Sequence, residues 1–293
     1  MPSSKNILSR LFRKAWISQL REPFWFLLPL GFWMRLDPNQ FLDRTVLIED
    51  VWDPSLTMLI QQFVRVGDTC IDIGAHKGYV SCLLASLVGS SGMVLSFEPD
   101  PRAFSLLLQN FQRNQFSQAR AFPSAAGAQD GTISLVLTKT LGWSSQYPNA
   151  LAQADATEKI MVKCIQIDTD QTITSLLSQR KALSFLKIDA EGTEPEIWQG
   201  MVETIRKYKP LISMEINYAS LAAGGFDVRK FHDTVMQAGY TEFFEAVILE
   251  ERSGSPRCVL RRLDITKERP LLVDAVIANP ESSFHSRLID IIE

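Results

Sequence analysis

The chain has 293 residues, 46% of them apolar and 22% charged, and a formal net charge of −3. This length can bury one large core or two smaller ones, and the slightly acidic balance gives a nucleic-acid partner no general electrostatic support. The four cysteines lie far apart, which predicts neither a zinc site nor a disulfide framework and fits a reducing cytoplasmic location.

Residues 1–36 form a basic and aromatic extension that we predict to be helical. As far as Leu20, basic and apolar side chains alternate at the spacing of a basic amphipathic helix. The apolar run that follows, residues 24–34, is too short for a bilayer, which needs ~20 residues, and contains Pro29 and Gly31. The extension is expected either to lie on a membrane surface, or to cover the catalytic domain or form an oligomer contact.

Residues 37–280 are predicted to form one α/β domain, followed by a C-terminal tail at 281–293. Phe41–Glu49 is predicted to be a short strand or hairpin. Asp53–Val64 is predicted to be a helix, because Asp53 is a suitable N-cap and Pro54 suits the first helical position. This helix is expected to close over the ligand site.

Residues 66–79 contain the pattern around which the domain is organised. Thr69–Ile73 is a β-prone run, a tight turn from Gly74 to Gly78 follows, and Tyr79–Leu87 has the apolar spacing of a helix. Strand, glycine turn and helix in this order open a parallel α/β sheet. Gly74 permits a positive φ and leaves room for a ligand against the backbone, and the N–H groups at the helix start point towards that ligand.

The residues of this turn argue against a dinucleotide. A pyrophosphate-binding G-x-G-x-x-G needs glycine where Asp72 stands, and a carboxylate there favours an ammonium or sulfonium group. The next strand, Met93–Phe97, is followed by Glu98, whose carboxylate is expected to accept both hydroxyls of a ribose. The two acids together predict S-adenosylmethionine as the ligand, whereas the turn alone is also compatible with an ordinary strand-to-helix connection.

The alternation of strands and helices continues and predicts a parallel sheet wound by right-handed crossovers. The further predicted elements are helices Pro101–Asn114, Pro195–Tyr208 and Val228–Ala238, and strands Ala119–Ala125, Leu183–Ile188, Leu211–Ile216, Phe243–Leu249, Cys258–Leu263 and Leu272–Ile277.

An insert at about 131–167 interrupts this alternation. Thr132–Thr138 and Lys159–Ile167 are predicted to pair as β-strands, joined by a polar loop around Trp143. A loop of this length inside a compact domain is usually functional or mobile. We predict a substrate lid, with a surface excursion as the alternative.

Acidic residues follow several predicted strands, where ligands bind in open α/β sheets. They are Asp72, Glu98, Asp189, Glu191 and Glu215, with Asn217 nearby. Their mutual repulsion and partial burial predict a bound cation, a metal ion or raised pKa values.

Four segments of the sequence resemble the FkbM family of S-adenosylmethionine-dependent methyltransferases. They are the glycine turn at 72–79, Phe97-Glu98-Pro99, Lys187-Ile-Asp-Ala-Glu-Gly192 and Pro210-Leu-Ile-Ser-Met-Glu215. The resemblance runs from about Leu36 to about Tyr240. It implies a Rossmann-like, seven-stranded class I methyltransferase sheet with helices on both faces, and O-methylation of a hydroxyl on a sugar, polyketide or lipid-linked glycan.

The resemblance also implies the roles of the site residues. The methionine part of the cofactor is expected against Asp72, Gly74, Ala75, His76, Gly78 and Asp189, the ribose against Glu98 and Pro99, and the adenine against backbone near Ala126 and Gly127. His76 stands where this family often has Asn, and Ala128 where an acid is common after the third strand.

Methyl transfer to a hydroxyl needs a base or a metal ion to activate the acceptor. Asp189 is the first candidate for the base, followed by Glu191 and Glu215. A weaker positional resemblance to catechol-type O-methyltransferases puts Mg²⁺ on Asp189, Glu215 and Asn217, although no lysine counterpart to that group's catalytic lysine is expected beside Asp189.

Other hypotheses remain open at this stage. An amine acceptor is disfavoured because the Asn/Asp-Pro-Pro-Tyr/Phe element is absent after the fourth strand, and a nucleotide-sugar oxidoreductase because of the missing glycine before Gly74. An inactive methyltransferase-fold binding protein is the non-enzymatic alternative. His232 is predicted to be a surface or core histidine.

Overall fold

The computed structural model describes residues 4–250, 256–267 and 272–293; for residues 4–10 and 250 it describes the backbone alone. The helices are α1 (Ser4–Ile17), α2 (Phe41–Glu49), α3 (Pro54–Phe63), α4 (Tyr79–Val88), α5 (Pro101–Asn114), α6 (Ala150–Ala154), α7 (Gln171–Ser178), α8 (Glu194–Gly200), α9 (Val202–Tyr208), α10 (Tyr218–Ala223) and α11 (Val228–Gln237). The strands are β1 (Phe24–Leu27), β2 (Trp33–Leu36), β3 (Thr69–Ile73), β4 (Met93–Phe97), β5 (Ala119–Phe122), β6 (Ala125–Ala126), β7 (Gly131–Thr138), β8 (Ala156–Ile165), β9 (Phe185–Ile188), β10 (Leu211–Asn217), β11 (Glu242–Glu250), β12 (Pro256–Arg262) and β13 (Leu272–Ala278).

The main sheet has eight strands in the order β12-β11-β13-β10-β9-β3-β4-β5. The five strands from β10 to β5 are parallel, and β13 runs antiparallel between β10 and β11. Strands β3, β4 and β9 are fully buried because helices cover both faces. The predicted α/β fold is confirmed, with one strand more than the seven expected, since β12 extends the sheet beyond β11.

One hydrophobic core lies on each face of the sheet. The first joins α3 and α4 to the N-terminal extension, from which Ile17, Leu28 and Phe32 are buried. The second joins the helices α7 to α11 to the opposite face. The C-terminal tail belongs to the first core through Leu288, and Arg287 pairs with Asp68. The extension and the tail therefore pack onto the domain.

The extension is only half helical. Its first part forms α1, as predicted, whereas the apolar run forms the antiparallel hairpin of β1 and β2. Pro29 and Gly31 lie in the turn between them, where Gly31 has a φ of +87°. Within the described ranges, no helix is long and apolar enough to cross a bilayer.

The prediction of a strand at Phe41–Glu49 is wrong, since this segment is α2. Asp43, Val46 and Leu47 are its buried residues, and their spacing of three and four is helical. The Asp43 carboxylate accepts a hydrogen bond from the Asp37 N–H and forms an ion pair with Lys77. Because the buried Asp43 has these two partners, its face of α2 can point into the protein. The composition of the segment had predicted a strand.

Two other predicted elements are divided. The helix predicted at Pro195–Tyr208 breaks after Gly200, where an added Cβ would lie 1.9 Å from the Gly127 carbonyl oxygen. The Asp168 carboxylate then accepts the N–H groups of Glu203 and Thr204 and caps a second helix. The strand predicted at Ala119–Ala125 likewise ends at Phe122, because β6 leaves the main sheet to pair with β8.

Helix α3 begins as predicted, with the Asp53 carboxylate accepting the Leu56 N–H at 2.9 Å. It packs against α4, β11 and β12, so the helix as a whole does not close over the site at the strand ends. The hairpin of β7 and β8 pairs as predicted, and together with β6 it forms a separate three-stranded sheet.

Candidate functional site

A cleft of 1020 Å³ lies at the carboxyl ends of β3, β4, β9 and β10. The turns after these strands form its floor, and the insert between β7 and β8 covers it. Seven of the predicted cofactor residues line the cleft: Gly74, Ala75, His76, Glu98, Pro99, Ala126 and Asp189. Glu191 and Glu215 line it as well, so the fold brings most of the predicted residues together.

Two glycines shape the turn after β3 through close packing. Gly74 has a φ of +74°, and a Cβ there would lie 1.7 Å from the Asp189 carbonyl oxygen. Gly78 has a φ of +89°, and its Cβ would lie 2.4 Å from the Leu107 side chain. Gly74 thus lets the turns after β3 and β9 meet, while Gly78 makes room for α5 and does not line the cleft, contrary to the prediction.

Glu98 is fixed in the cleft wall by backbone donors. Its Oε2 accepts the His76 N–H at 2.7 Å and its Oε1 accepts the Asp100 N–H at 2.8 Å. Burial raises the pKa of Glu98 to about 7, and the two backbone N–H groups act in the opposite direction. Each carboxylate oxygen can accept a further hydrogen bond from a ligand in the cleft.

His76 lies in the turn after β3, with its backbone in the left-handed region at a φ of +51°. Its Nε2 is buried, and no described residue forms a hydrogen bond with it. Burial and the nearby cations Lys77 and Lys187 lower the pKa of His76 to about 3, so the ring is neutral at physiological pH. A buried imidazole nitrogen without a partner is costly, which points to a polar ligand group in the cleft.

The structure differs from the prediction at Asp72, which does not line the cleft. Its carboxylate is fully buried, accepts the Ser81 hydroxyl at 2.5 Å and lies 3.5 Å from Lys187 Nζ. The reason is that Lys187 stands between Asp72 and the cleft. Its ammonium donates to the Gly74 carbonyl oxygen at 2.9 Å and pairs with Asp189 at 3.0 Å.

Lys187 is the site residue that sequence reasoning missed. It pairs with Asp189, beside which no counterpart of the catechol-type catalytic lysine was expected. Burial lowers the pKa of Lys187, but Asp189 and Asp72 outweigh that effect and raise it. The ammonium is therefore permanently charged. A signal was available in the sequence, because a lysine between Leu186 and Ile188 in a buried strand requires a charged partner.

Three carboxyl groups converge at the floor of the cleft. Oxygen atoms of Asp189, Glu191 and Glu215 lie within 4.8 Å of one another. Burial, together with the charges of Asp189 and Glu194, raises the pKa of Glu191 to about 8. Burial and the charges of Asp189, Glu191 and Asp274 also raise the pKa of Glu215, so both glutamates carry a proton for much of the time at neutral pH.

The predicted Mg²⁺ ligands are only partly arranged for a metal ion. The Asn217 side-chain oxygen accepts the Ser220 N–H and caps α10. Asp189 already faces an ammonium group. The carboxyl trio alone supplies oxygen ligands for a divalent cation. As predicted, His232 is not a site residue: it lies on α11 against Phe243, away from the cleft.

A second cavity of 660 Å³ adjoins the carboxyl trio on the side of α2 and α3. Trp52, Leu272, Lys187, Asp189 and Glu215 line both cavities. The second cavity is also bordered by Asp53 and Asp274, which add two carboxyl groups to a wall that is otherwise largely apolar. The amino end of α3 therefore borders this second cavity.

The opposite end of the cleft is apolar. Ala125, Ala126, Ile133 and Leu135 line it. Gly127 does not, because its N–H donates to the Ile165 carbonyl oxygen and the residue lies against Cys164. A flat aromatic ring would fit this end by apolar contact.

The loop around Trp143 lies over the cleft and is hydrogen-bonded to both sides of it. The Ser144 hydroxyl donates to Asp100 at 2.9 Å, and the Ser145 hydroxyl donates to the Glu191 carbonyl oxygen at 2.8 Å. Trp143 itself lines the cleft. These contacts tie the loop to both walls of the cleft, the position that a substrate lid would take.

The family model of the FkbM methyltransferase domain matches residues 72–242 of this chain. No curated protein sequence matches this chain. The chain is similar to the structure of an FkbM methyltransferase from Methylobacillus flagellatus, with 12% identity, a TM-score of 0.42, and coverage of 94% of this chain and 59% of the other. The chain is also similar to a SAM-dependent O-methyltransferase from Thermotoga maritima, with 12% identity and a TM-score of 0.41. The match covers 78% of this chain and 66% of the other. Fibrillarin from Aeropyrum pernix, solved with S-adenosyl-L-methionine bound, has 13% identity and a TM-score of 0.37. The match covers 75% of this chain and 73% of the other.

Proposed function

This chain belongs to the FkbM methyltransferase family, and we propose that it transfers a methyl group from S-adenosylmethionine to a hydroxyl group of a sugar, polyketide or lipid-linked glycan. Its fold is the class I methyltransferase fold, an α/β sheet with helices on both faces and the antiparallel β13 inserted between β10 and β11. The observation that carries the proposal is the joining of two sites: an acid held by backbone donors at the cleft wall, and a carboxyl trio at its floor.

The residues of the cleft fit S-adenosylmethionine. Glu98 offers two anchored oxygens for the ribose hydroxyls, and His76 has a buried nitrogen that needs a polar partner. The apolar end at Ala125 and Ala126 suits the adenine, and the carboxyl trio offers hydrogen-bond partners to the ammonium group of the methionine part. When bound there, the cofactor supplies an electrophilic methyl group on a sulfonium.

Asp189 is our candidate for the general base. Its Oδ2 lies 3.0 Å from Lys187 Nζ, an ion pair that holds the side chain at the floor of the cleft. A carboxylate can accept the acceptor's hydroxyl proton, whereas Glu191 and Glu215 with raised pKa values are hydrogen-bond donors when protonated. The two glutamates would orient the acceptor oxygen towards the cleft, and the lid loop would exclude water.

The second cavity is our candidate for the acceptor site. It meets the cleft at Asp189 and Glu215, where an acceptor oxygen has to arrive. The carboxyl groups of Asp53 and Asp274 disfavour phosphorylated or carboxylated acceptors and offer hydrogen-bonding oxygens to a polyol. A neutral or cationic polyhydroxylated acceptor is therefore favoured over a nucleotide-linked sugar.

The test is transfer of labelled methyl groups to a panel of neutral, amino and phosphorylated sugars and polyketide alcohols. Asp189→Asn is expected to lower turnover at least ~100-fold, the usual contribution of a general base, with affinity for S-adenosylmethionine within a few-fold of the parent. Asp233→Asn, at an exposed site on α11, is the matched control. Unchanged turnover in Asp189→Asn would refute the assignment, and absence of S-adenosylmethionine binding by the parent would indicate the inactive binding protein instead.

A further inference from the structure

Helix α1 exposes large apolar side chains on the face that points away from the domain. Phe12 is 80% exposed, Leu11 58% and Trp16 43%, and Ala15 between them is exposed as well. These four residues, the α1 outer face, lie on one side of the last two turns. Helices of globular proteins normally turn such side chains inwards, so an exposed apolar face of this kind indicates an interaction surface.

The opposite side of α1 is fixed to the domain, so the helix cannot rotate to bury its outer face. Ile17 is fully buried in the first core, and Arg13 pairs with Asp50 at the end of α2 at 2.6 Å. At the edge of the outer face, Trp16 also packs edge-on against Phe24 of the hairpin, at 6.0 Å between ring centroids. The outer face is therefore presented outwards by a folded support.

The chain from its first residue to Arg21, which includes α1, carries charge of one sign. Residues 1–21 contain five lysine and arginine residues and no acid, in a chain whose net charge is −3. Lys14 is exposed in the last turn of α1, and Arg21 is exposed just beyond it. This charge attracts an anionic surface and opposes the approach of a second copy of the same face.

We propose that the α1 outer face binds the protein peripherally to an anionic lipid surface. Phe12 and Leu11 would enter the interface, Trp16 would lie at headgroup level, and Lys14 would extend towards lipid phosphates. The helix is too short to span the bilayer, so binding would be reversible. This surface is separate from the methyl-transfer site and does not depend on the proposed reaction.

The experiment is flotation of the full chain with vesicles of phosphatidylcholine and phosphatidylglycerol, and with vesicles of phosphatidylcholine alone. The parent protein is expected to float with the anionic vesicles, less so at high salt, and not with the neutral ones. Phe12→Glu is expected to weaken partitioning at least ~10-fold, and Lys14→Glu about 10-fold. Met161→Glu, at an exposed position of β8, is the control and should float like the parent.

Phe12 is so exposed that Phe12→Glu should leave the thermal melt and S-adenosylmethionine binding unchanged, which separates loss of docking from loss of folding. Equal flotation of Phe12→Glu and parent would overturn the proposal. So would equal binding of the parent to neutral and anionic vesicles. A dimer in solution that Phe12→Glu dissociates, with no vesicle binding by the parent, would assign the face to a second copy instead.

Discussion

Replacing Lys187 by Met tests the charge network under the cleft. Met has a similar length and no charge, so it fills the space while removing the ammonium that Asp72 and Asp189 share. Lys187 is only 8% exposed and Asp72 is fully buried. Lys187→Met therefore leaves one buried carboxylate with Ser81 as its remaining hydrogen-bond partner.

The expected loss is large because the remaining charge lies in the core. Removing one partner of a buried ion pair typically costs about 3–5 kcal/mol. For a domain of this size, each kcal/mol lowers the melting temperature by about 2–4 °C, so the melting temperature should fall by roughly 6–20 °C. Most of this loss is assigned to Asp72, because Asp189 is partly exposed and water screens its charge.

The loss should also depend on pH. Burial raises the pKa of Asp72, and Lys187 opposes that rise. Without Lys187, the folded-state pKa of Asp72 rises further above its unfolded value, so the folded protein binds more protons and stability falls as pH rises. The stability difference between Lys187→Met and the parent should be smaller at pH 5 than at pH 8.

Thermal melts followed by circular dichroism at both pH values provide the measurement. Lys159→Met, at an exposed position of β8, is the matched control and should melt like the parent. The double variant Asp72→Asn/Lys187→Met should recover much of the lost stability, because an uncharged amide can still accept the Ser81 hydroxyl. A melting temperature of Lys187→Met equal to that of the parent at pH 8 would show that this network does not carry the stability assigned to it.

Two further predictions concern the cofactor and the metal. Glu98→Gln should weaken S-adenosylmethionine binding, measured by calorimetry, about 10- to 100-fold, because a glutamine has one acceptor oxygen for the two N–H groups that Glu98 binds. The control is Glu158→Gln at an exposed position of β8, and equal affinities of Glu98→Gln and the parent would remove Glu98 from the site. Turnover should be unchanged by EDTA, because Lys187 already neutralises Asp189. A loss of turnover in EDTA that added Mg²⁺ restores would favour the metal-assisted alternative.

The sequence predicted the sheet well because its strands are short apolar runs between strong turn and cap signals. Helix α5 has the predicted bounds, since Asp100 caps it and Pro101 begins it. The segment Phe41–Glu49 was predicted wrongly because its inward face carries Asp43, whose partner Lys77 is distant in sequence. Local periodicity cannot reveal a buried ion pair between two segments.

The same limit applies to the candidate site. Asp189, Glu98 and Glu215 were predicted because ligand-binding acids follow strands, and all three line the cleft. Asp72 follows the same rule in sequence but faces Ser81 and Lys187 in the structure. Which of two acids reaches the cleft depends on the side chain that lies between them, and this is a property of the assembled sheet.

The position of Lys187 separates the two proposed ways of activating the acceptor. If the ammonium positions Asp189 for proton transfer, Lys187→Met should lower turnover whether or not Mg²⁺ is present. If a divalent cation on the carboxyl trio activates the acceptor, the ammonium 3.0 Å from Asp189 repels that cation. Removing it should then tighten metal binding and raise turnover at limiting Mg²⁺. Because the two mechanisms predict opposite signs for one substitution, assays of folded Lys187→Met with and without Mg²⁺ distinguish them.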